Sequence, residues 1–238
     1  MKLTNHLNFA LSLFLFLFLV SSVYPEGNPG MYRNASMDSP PIISASGDEY
    51  WDTQFVKPGV NGEVYAMTVD GGNLYIGGEI WEVDGNTMDI AMWNGTQWIS
   101  IGQTNGQVNA MAVSGGSLYV GGDFTNVNGV GASNIARWDG SNWHAVGSGT
   151  DGEVNAIALD GTDVYVGGNF THASGTLVNR IAKWNGSSWS SLGTGANGTV
   201  LTIAVDGGDV YAGGEFEYAG GILCRHIARW NGSSWSSL

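Results

Sequence analysis

The sequence predicts an all-β fold made of four copies of one four-stranded antiparallel unit. Three features support this prediction: similar strings recur every 44 to 46 residues, apolar residues alternate with a period of two, and glycine-rich turns separate the alternating segments. Repeats of this length are typical either of stacked helix pairs or of repeated small sheets. No segment shows helical spacing, so the period of two favours sheets.

One valine per copy aligns the repeats. The copies begin at Val64, Val108, Val154 and Val200, with spacings of 44, 46 and 46 residues. We therefore predict that repeats occupy residues 49–238, in four units with approximate bounds 61–104, 105–150, 151–196 and 197–238.

The first two strands of each unit enclose a tight turn. In the third copy, VNAIAL places small and apolar residues on both faces, which predicts a doubly buried strand. The following DGTD matches DGGN, SGGS and DGGD in the other copies, and its glycine supplies the positive φ of a hairpin. VYVGGNF is then the second strand, whose paired glycines allow another backbone or a large ring to approach closely.

The last two strands form a hairpin with a tryptophan on each arm. After a loop with a fixed glycine, IAKW is the third strand of this copy, and a second tryptophan starts the fourth. A four-residue loop would place the two rings directly opposite each other, and a two-residue turn would place them diagonally. Every copy has the pair, so we predict packing between sheets rather than a ring of exposed, sugar-binding aromatics. The predicted packing residues are Trp93, Trp98, Trp138, Trp143, Trp184, Trp189, Trp230 and Trp235.

Units of this length and composition predict the blades of a β-propeller. LYVGG followed by a tryptophan-bearing strand pair resembles the kelch repeat of galactose-oxidase-type propellers. The longer string GGDFTNVNGVGASNIARWDGSNWHAVGSG more closely resembles the secreted repeats of the fungal cortical polarity marker (bud-site marker) family and its uncharacterised bacterial relatives. The resemblance covers residues 63–238 and implies four-stranded antiparallel blades.

The sequence also predicts one additional strand before the first copy. Residues 50–64, YWDTQFVKPGVNGEV, match the end of a unit, so an isolated fourth strand precedes four complete blades. Either the four blades close into a small ring with a spare strand, or they are part of a larger ring. We expect the larger ring, because the last copy lacks the glycine that ends the others.

Composition and the N-terminal segment predict a secreted protein. Residues 9–20, FALSLFLFLFLV, are too short for a membrane-spanning helix and follow a basic Lys2, which predicts a signal peptide over 1–24 and a flexible segment over 25–48. No membrane span is expected after its removal. A formal net charge of −13 makes nucleic acid and anionic membranes poor partners. Cys224 is the only cysteine, so packing must hold the fold without an internal disulfide.

No catalytic, cofactor-binding or metal-binding constellation is predicted. Closure of a ring would bring together the residues after the double glycines, Glu79, Asp123, Asn169 and Glu215, but we expect solvated or turn-bonded strand ends there rather than a cation site. His144, His172 and His226 lack metal-ligand spacing, and Cys224 lies at a packing position. The copper chemistry that the oxidase resemblance implies needs a Cys–Tyr pair and two histidine ligands, none of which maps onto this chain.

Six N-x-S/T sequences are candidate glycosylation acceptors in a eukaryotic secretory pathway, although N-G-S is also ordinary turn chemistry. They begin at Asn34, Asn94, Asn169, Asn185, Asn197 and Asn231. We therefore expect a secreted or cell-surface, non-enzymatic binding or scaffolding module with a protein or glycan ligand. The alternative is a piece of a carbohydrate-active or oxidase-type propeller enzyme whose active residues lie outside this chain.

Overall fold

The computed structural model describes residues 60–83 and 88–238, apart from the side chain of Trp81. The predicted signal peptide, the segment over 25–48, Asn34 and most of the additional strand predicted before the first copy lie outside these residues. The described residues form strands, turns and loops, and none of them belongs to a helix that could cross a membrane.

Four four-stranded antiparallel sheets follow one another along the chain, as predicted, and each sheet keeps its strands in chain order. Blade 1 contains β1 (Val60–Asp70), β2 (Asn73–Val83), β3 (Ile90–Trp93) and β4 (Trp98–Gly102). Blade 2 contains β5 (Gln107–Ser114), β6 (Ser117–Asp123), a small hairpin of β7 (Asn126–Val127) and β8 (Val130–Gly131), then β9 (Ile135–Trp138) and β10 (Trp143–Ala145).

Blades 3 and 4 repeat the order of blade 2. Blade 3 contains β11 (Glu153–Asp160), β12 (Asp163–Asn169), the small hairpin of β13 (His172–Ala173) and β14 (Thr176–Leu177), then β15 (Ile181–Trp184) and β16 (Trp189–Ser191). Blade 4 contains β17 (Val200–Asp206), β18 (Asp209–Gly214), the small hairpin of β19 (Tyr218–Ala219) and β20 (Ile222–Leu223), then β21 (Ile227–Trp230) and β22 (Trp235–Ser237). These sheets are the blades of a β-propeller fold.

The small hairpins were not expected from the sequence, which predicts only a loop between the second and third strands. Each of their strands is two residues long, so no alternation of apolar residues can develop. The predicted glycine, Gly175 in blade 3, lies in the hairpin turn with φ of 79°. The turns between the first two strands match the prediction, since Gly71 and Gly72 both have positive φ.

The second glycine of each pair makes room for a β-bulge in the first strand of the same blade. In blade 3 the register shifts between Val154 and Ala156, so Asn155 is the extra residue. A Cβ on Gly168, opposite this bulge, would lie 2.0 Å from the carbonyl oxygen of Glu153. Only glycine fits against that carbonyl. The same crowding recurs at Gly78, Gly122 and Gly214.

In blades 1, 2 and 3 the first glycine of the pair receives an aliphatic side chain from the next blade. A Cβ on Gly121 would lie 2.3 Å from Val154 Cγ1 and 3.1 Å from Ile157 Cδ1. Gly77 and Gly167 meet Val108 and Val200 in the same way. The sequence left open whether a backbone or a large ring approaches the glycine pair, and the structure places a carbonyl at one glycine and a valine at the other.

The two tryptophans of each hairpin lie directly opposite each other, as the alternative with a four-residue loop predicts. Trp184 pairs with Trp189, and their ring centroids are 5.3 Å apart at an interplanar angle of 50°. Trp189 is buried, and its Nε1 donates a hydrogen bond to the carbonyl oxygen of Val146 in blade 2 at 3.2 Å. Trp184 is half-buried against the same core cluster.

The other pairs repeat this geometry with centroid distances of 5.4 to 5.6 Å. Trp143 Nε1 donates to Ile101 O at 2.6 Å, and Trp235 Nε1 donates to Leu192 O at 2.7 Å. The second tryptophan of blades 2, 3 and 4 thus joins its blade to the preceding one.

Blade 4 does not pack against blade 1 within the part of the chain that the structure describes. Neighbouring blades pack closely through their first and second strands, whereas β17 and β18 do not pack in this way against β1 and β2. Ile227 of blade 4 is 46% exposed, whereas the equivalent Ile181 is fully buried. The described residues therefore do not form the closed four-blade ring that was one of the two alternatives.

We predict that Gly121→Ala destabilises the protein by ~1–3 kcal/mol, because the added methyl group overlaps Val154. Urea-induced unfolding measures this loss. Gly131→Ala is the matched control, since Gly131 has ordinary φ and no heavy atom within 4 Å of the new methyl group. The control should stay within about 0.5 kcal/mol of the parent. Equal losses in the two variants would contradict this account of the glycine pair.

We also predict that Trp184→Ala and Trp189→Ala each lower the free energy of unfolding by ~3–5 kcal/mol, because each removes a large ring from a packed layer. Trp189→Phe keeps most of the ring and loses one hydrogen bond to Val146, so it should cost only about 1 kcal/mol. Thermal and urea unfolding provide the measurement. Alanine variants that unfold with the parent but lose ligand binding would show that the pairs are surface sites.

Candidate functional site

The connections between strands place two kinds of loop at opposite edges of every blade. In an antiparallel sheet with sequential strands, alternate strand ends lie on one side of the blade: strands one and three start there, and strands two and four end there. This side, which we call the loop face, carries the small hairpins and the links between blades. The short turns between strands one and two and between strands three and four lie on the opposite side of the blade, which we call the turn face.

Strained backbone is concentrated on the loop face. Every described non-glycine residue with positive φ lies between the second and third strands of a blade. These residues are Asn128, Asn134, Ser174, Asn179, Arg180, Arg225 and His226, with φ between 45° and 77°. Such conformations persist only where surrounding contacts hold them, and they are frequent at binding sites.

A side chain in each link between blades fixes the small hairpin of the next blade. Asn105 Oδ1 accepts hydrogen bonds from the backbone N–H groups of Thr125 and Asn126 at 2.8 and 2.9 Å. Asn197 Oδ1 accepts the same two bonds from Glu217 and Tyr218 at 3.0 and 2.8 Å. We call this repeated contact the hairpin clamp.

Blade 3 uses an aspartate for the clamp. Asp151 Oδ1 accepts from the N–H groups of Thr171 and His172 at 2.7 and 2.8 Å, and its Oδ2 accepts from the Thr171 hydroxyl at 2.7 Å. Partial burial would raise the pKa of Asp151, but hydrogen bonds from the His172 amide and from Thr171 outweigh it and hold that pKa well below its usual range. His172 Nδ1 lies 3.1 Å from the same carboxylate.

A second contact ties each link between blades to the residue just before the third strand. Asn134 Nδ2 donates to Thr150 O at 2.9 Å, and Arg180 Nη1 donates to Ala196 O at 3.1 Å. In blade 1, Asp89 Oδ2 instead accepts from the N–H of Thr104 at 2.6 Å. Burial raises the pKa of Asp89, and the bonds from Thr104 oppose that rise. Three different side chains thus hold the same link.

The residues displayed by the clamped hairpins differ between blades. Blade 4 exposes Tyr218, Ile222 and Leu223, which are 41%, 47% and 46% exposed. Blade 3 exposes His172 and Leu177 at the equivalent hairpin. One backbone geometry therefore presents a different set of side chains at each position along the loop face.

The first strands of the blades add polar side chains next to the loop face. Asn109 is the extra residue of the bulge in blade 2, and its Nδ2 donates to Glu153 Oε1 of blade 3 at 2.7 Å. In blade 1 the equivalent residue is Tyr65, whose hydroxyl donates to Glu63 at 2.5 Å. That hydrogen bond, together with partial burial, raises the pKa of Tyr65 to about 12.

The predicted polar residues are not brought together. The candidates for a cation site, Glu79, Asp123, Asn169 and Glu215, are exposed and belong to four different blades; Glu79 lies within β2, and the other three lie at or next to the ends of their strands. The described residues contain no group of three or more histidine, cysteine, aspartate or glutamate side chains placed to hold a metal ion.

The histidines also lie in separate blades. His144 Nε2 is 2.6 Å from Asp139, His172 is beside Asp151, and His226 Nδ1 is 3.1 Å from Gly214 O. Cys224 is buried in the core cluster between blades 3 and 4.

Three of the candidate glycosylation acceptors occupy the turn face. Asn185 Oδ1 accepts hydrogen bonds from the N–H groups of Ser187 and Ser188 and from the Ser187 hydroxyl, so it stabilises the turn of the tryptophan hairpin. Asn94 and Asn231 make the same bonds, and all three residues are exposed. Asn169 and Asn197 are exposed on the loop face. Glycosylation at these positions stays a prediction.

Sequence reasoning missed the hairpin clamp. A signal was present, because the links read Thr-Asn-Gly, Thr-Asp-Gly and Ala-Asn-Gly at equivalent places. Only Asn197 was singled out, as a glycosylation candidate. The partner amides are about 20 residues farther along the chain and in another loop, so only the folded structure reveals the contact.

Comparisons with known proteins support the propeller fold. The family model described as "Domain of unknown function (DUF5122) beta-propeller" matches residues 116–138, which run from the first hairpin turn to the third strand of blade 2. No curated protein matches the chain.

Solved structures give distant likenesses. The computationally designed Ika4 protein is 14% identical with a TM-score of 0.44, and the alignment covers 71% of this chain and 91% of Ika4. The extracellular domain of the hybrid two component system BT4673 from B. thetaiotaomicron is 13% identical with a TM-score of 0.49, over 74% of this chain and 22% of that one.

We predict that Asp151→Asn preserves the clamp but removes its dependence on pH. Asparagine at the equivalent position 105 accepts the same amide bonds and donates through Nδ2 to the Thr125 hydroxyl at 2.8 Å. The folded-state pKa of Asp151 is depressed, so its stabilisation is complete above the unfolded pKa of about 3.9 and is lost as the pH falls below it. Chemical unfolding at pH 7, 4 and 2.5 provides the measurement.

The parent should lose more stability than Asp151→Asn between pH 4 and 2.5, while the two proteins should be similar at pH 7. Asp123→Asn is the control, because Asp123 is an exposed strand-end carboxylate outside the clamp. If the control changes the acid sensitivity as much as Asp151→Asn does, the carboxylate of the clamp has no special role.

Proposed function

We propose that this chain is a secreted, non-enzymatic binding module that uses its loop face to hold a protein ligand. The observation that carries this proposal is that the clamp holds the hairpin backbones in one geometry while the exposed side chains differ from blade to blade. Asn105, Asp151 and Asn197 fix three hairpins in one geometry, whereas the exposed residues of those hairpins differ. A repeat scaffold with varied loops is the usual architecture of a binding surface.

The displayed side chains favour a protein over a glycan as the ligand. Ile222 and Leu223 are aliphatic, Leu177 is 58% exposed, and Tyr218 is the only aromatic ring among these four. Exposed apolar groups on a rigid surface are typical of protein contacts. Sugar sites depend more on stacked aromatic rings, and the tryptophan pairs of blades 2, 3 and 4 lie in or against the packed layers between blades instead.

Secretion is supported by the sequence. The N-terminal apolar run has the length of a signal peptide, and a single cysteine suits a protein that folds without a disulfide in an oxidising compartment. The sequons at Asn94, Asn185 and Asn231 lie on the turn face, where attached glycans would not cover the loop face, whereas those at Asn169 and Asn197 lie on the loop face itself. The resemblance to the cortical polarity marker repeats also suggests a cell-surface protein.

We predict that the full chain binds members of an array of extracellular protein domains and that the double variant Tyr218→Ser/Leu223→Ser weakens this binding roughly tenfold or more. Both side chains are exposed, so the variant should keep the stability of the parent. Gln97→Ser is the matched control, because it shortens an exposed side chain of similar size on the turn face. Binding constants for each protein on the array provide the measurement.

Three outcomes would contradict the proposal. Binding to a parallel glycan array and to no protein domain would indicate a sugar ligand. An equal loss of binding affinity in Gln97→Ser would show that the loop face is not the binding surface. Turnover in an oxidase or glycosidase screen, with stoichiometric copper in the first case, would show that the protein is an enzyme.

A further inference from the structure

The turns of three tryptophan hairpins hold an asparagine followed by glycine in open surroundings. Asn94, Asn185 and Asn231 are exposed, and the glycine after each has φ between 91° and 93°. No described heavy atom lies within 4 Å of the place that a Cβ on these glycines would occupy. The hydrogen bonds of Asn185 stay within its turn, because its Oδ1 accepts from Ser187 and Ser188 and its N–H donates to Ser188 O at 3.2 Å. These bonds can break without disturbing another segment.

The same pair of residues in the hairpin clamp is held by distant segments. Asn197 is bonded through both its Oδ1 and its N–H to the small hairpin about 20 residues farther along the chain. A Cβ on Gly198 would lie 2.2 Å from Glu215 O, and a Cβ on Gly106 would lie 2.0 Å from Asp123 O. A change of backbone conformation in these links therefore has to shift the end of a strand.

An asparagine followed by glycine can lose ammonia without an enzyme. The glycine nitrogen gives its proton to solvent and forms a bond to the asparagine Cγ. The Cγ–Nδ2 bond then breaks, and Nδ2 takes up a proton and leaves as ammonia. Water opens the resulting five-membered ring at one of its two carbonyls, which yields aspartate or isoaspartate. One water is consumed and one ammonia is released, with no oxidation, and glycine favours the step because it has no Cβ beside the closing ring.

We infer that Asn94, Asn185 and Asn231 are the sites at which the folded protein undergoes this deamidation, whereas Asn105 and Asn197 are protected. Ring closure requires the asparagine to rotate its backbone and its side chain. In the turns only local hydrogen bonds oppose that rotation, but in the clamp the bonds to another segment must open first. All five residues precede a glycine, so the fold rather than the local sequence separates them.

Blade 2 shows that the fold accepts the aspartate product. Asp139 replaces asparagine at this turn position, and its Oδ1 accepts the same two bonds, from the N–H groups of Ser141 and Asn142 at 2.9 and 2.8 Å. Conversion of the other turns to aspartate therefore keeps the turn and adds one negative charge to the turn face each time. Conversion also removes the Nδ2 to which a glycan would be attached, so deamidation and N-glycosylation exclude each other at these positions.

Peptide mapping by mass spectrometry tests this inference on the full chain, produced without N-glycans and incubated in the folded state at pH 8 and 37 °C. The three turn asparagines should convert roughly tenfold or more faster than Asn105 and Asn197, because the clamp has to open before its ring can close. In a parallel sample unfolded in guanidinium chloride, the five rates should converge, since only the local sequence then acts. The two clamp asparagines are thus internal controls within the same protein.

Equal rates in the folded chain, or faster conversion at Asn105 or Asn197, would overturn the inference. So would a folded chain whose turn asparagines stay intact over a period in which the unfolded sample converts. Asn185→Asp reproduces the product and should unfold at the same denaturant concentration as the parent, because Asp139 already makes the equivalent bonds. A markedly earlier unfolding of this variant would contradict the claim that the turn accepts aspartate.

Discussion

The fit of one valine into the gap left by one glycine controls the spacing between blades, and the rest of the structure depends on it. The second glycine of each pair tolerates the carbonyl of a bulged strand, as Gly168 does with Glu153. The first glycine then lies open to the next blade, where Val200 packs against Gly167. A side chain at either glycine would force the strands or the blades apart. The two neighbouring glycines thus set both the bulge within one sheet and the distance to the next blade.

The pairing of the first two strands also shapes the loop face. In blade 3 the register that pairs Glu153 with Asn169 continues past both strands, so the link before the first strand lies beside the small hairpin that follows the second strand. Asn105 and Asn197 can therefore make the same pair of hydrogen bonds in different blades. The strained residues around them are held by these contacts, which leaves the tips of the hairpins free to differ. Binding surfaces are commonly built in this way, with constant backbone support and variable side chains.

Repetition also explains why apolar side chains are exposed in the first and last described blades. Each blade buries its apolar layers only against its neighbours, so the stability of the protein is close to a sum over blades and the interfaces between them. Exposed Met67 in blade 1 and exposed Ile227 in blade 4 are consequences of this arrangement within the described residues.

The sequence by itself determined the four repeats, their four-stranded sheets, the hairpin turns and the presence of a tryptophan on each arm of the last hairpin, whereas the structure decided that the two rings lie directly opposite. The sequence could do so because strands and turns leave local signals: a period of two, glycines that need positive φ, and aromatic residues at fixed spacing. It could not assign separate roles to the two glycines, since the valine and the carbonyl that crowd them come from other segments. The clamp at Asp151 escaped for a similar reason, because its hydrogen bonds join residues about 20 positions apart that meet only when the first two strands of the blade pair in register. The small hairpins escaped because strands of two residues leave no alternation to recognise.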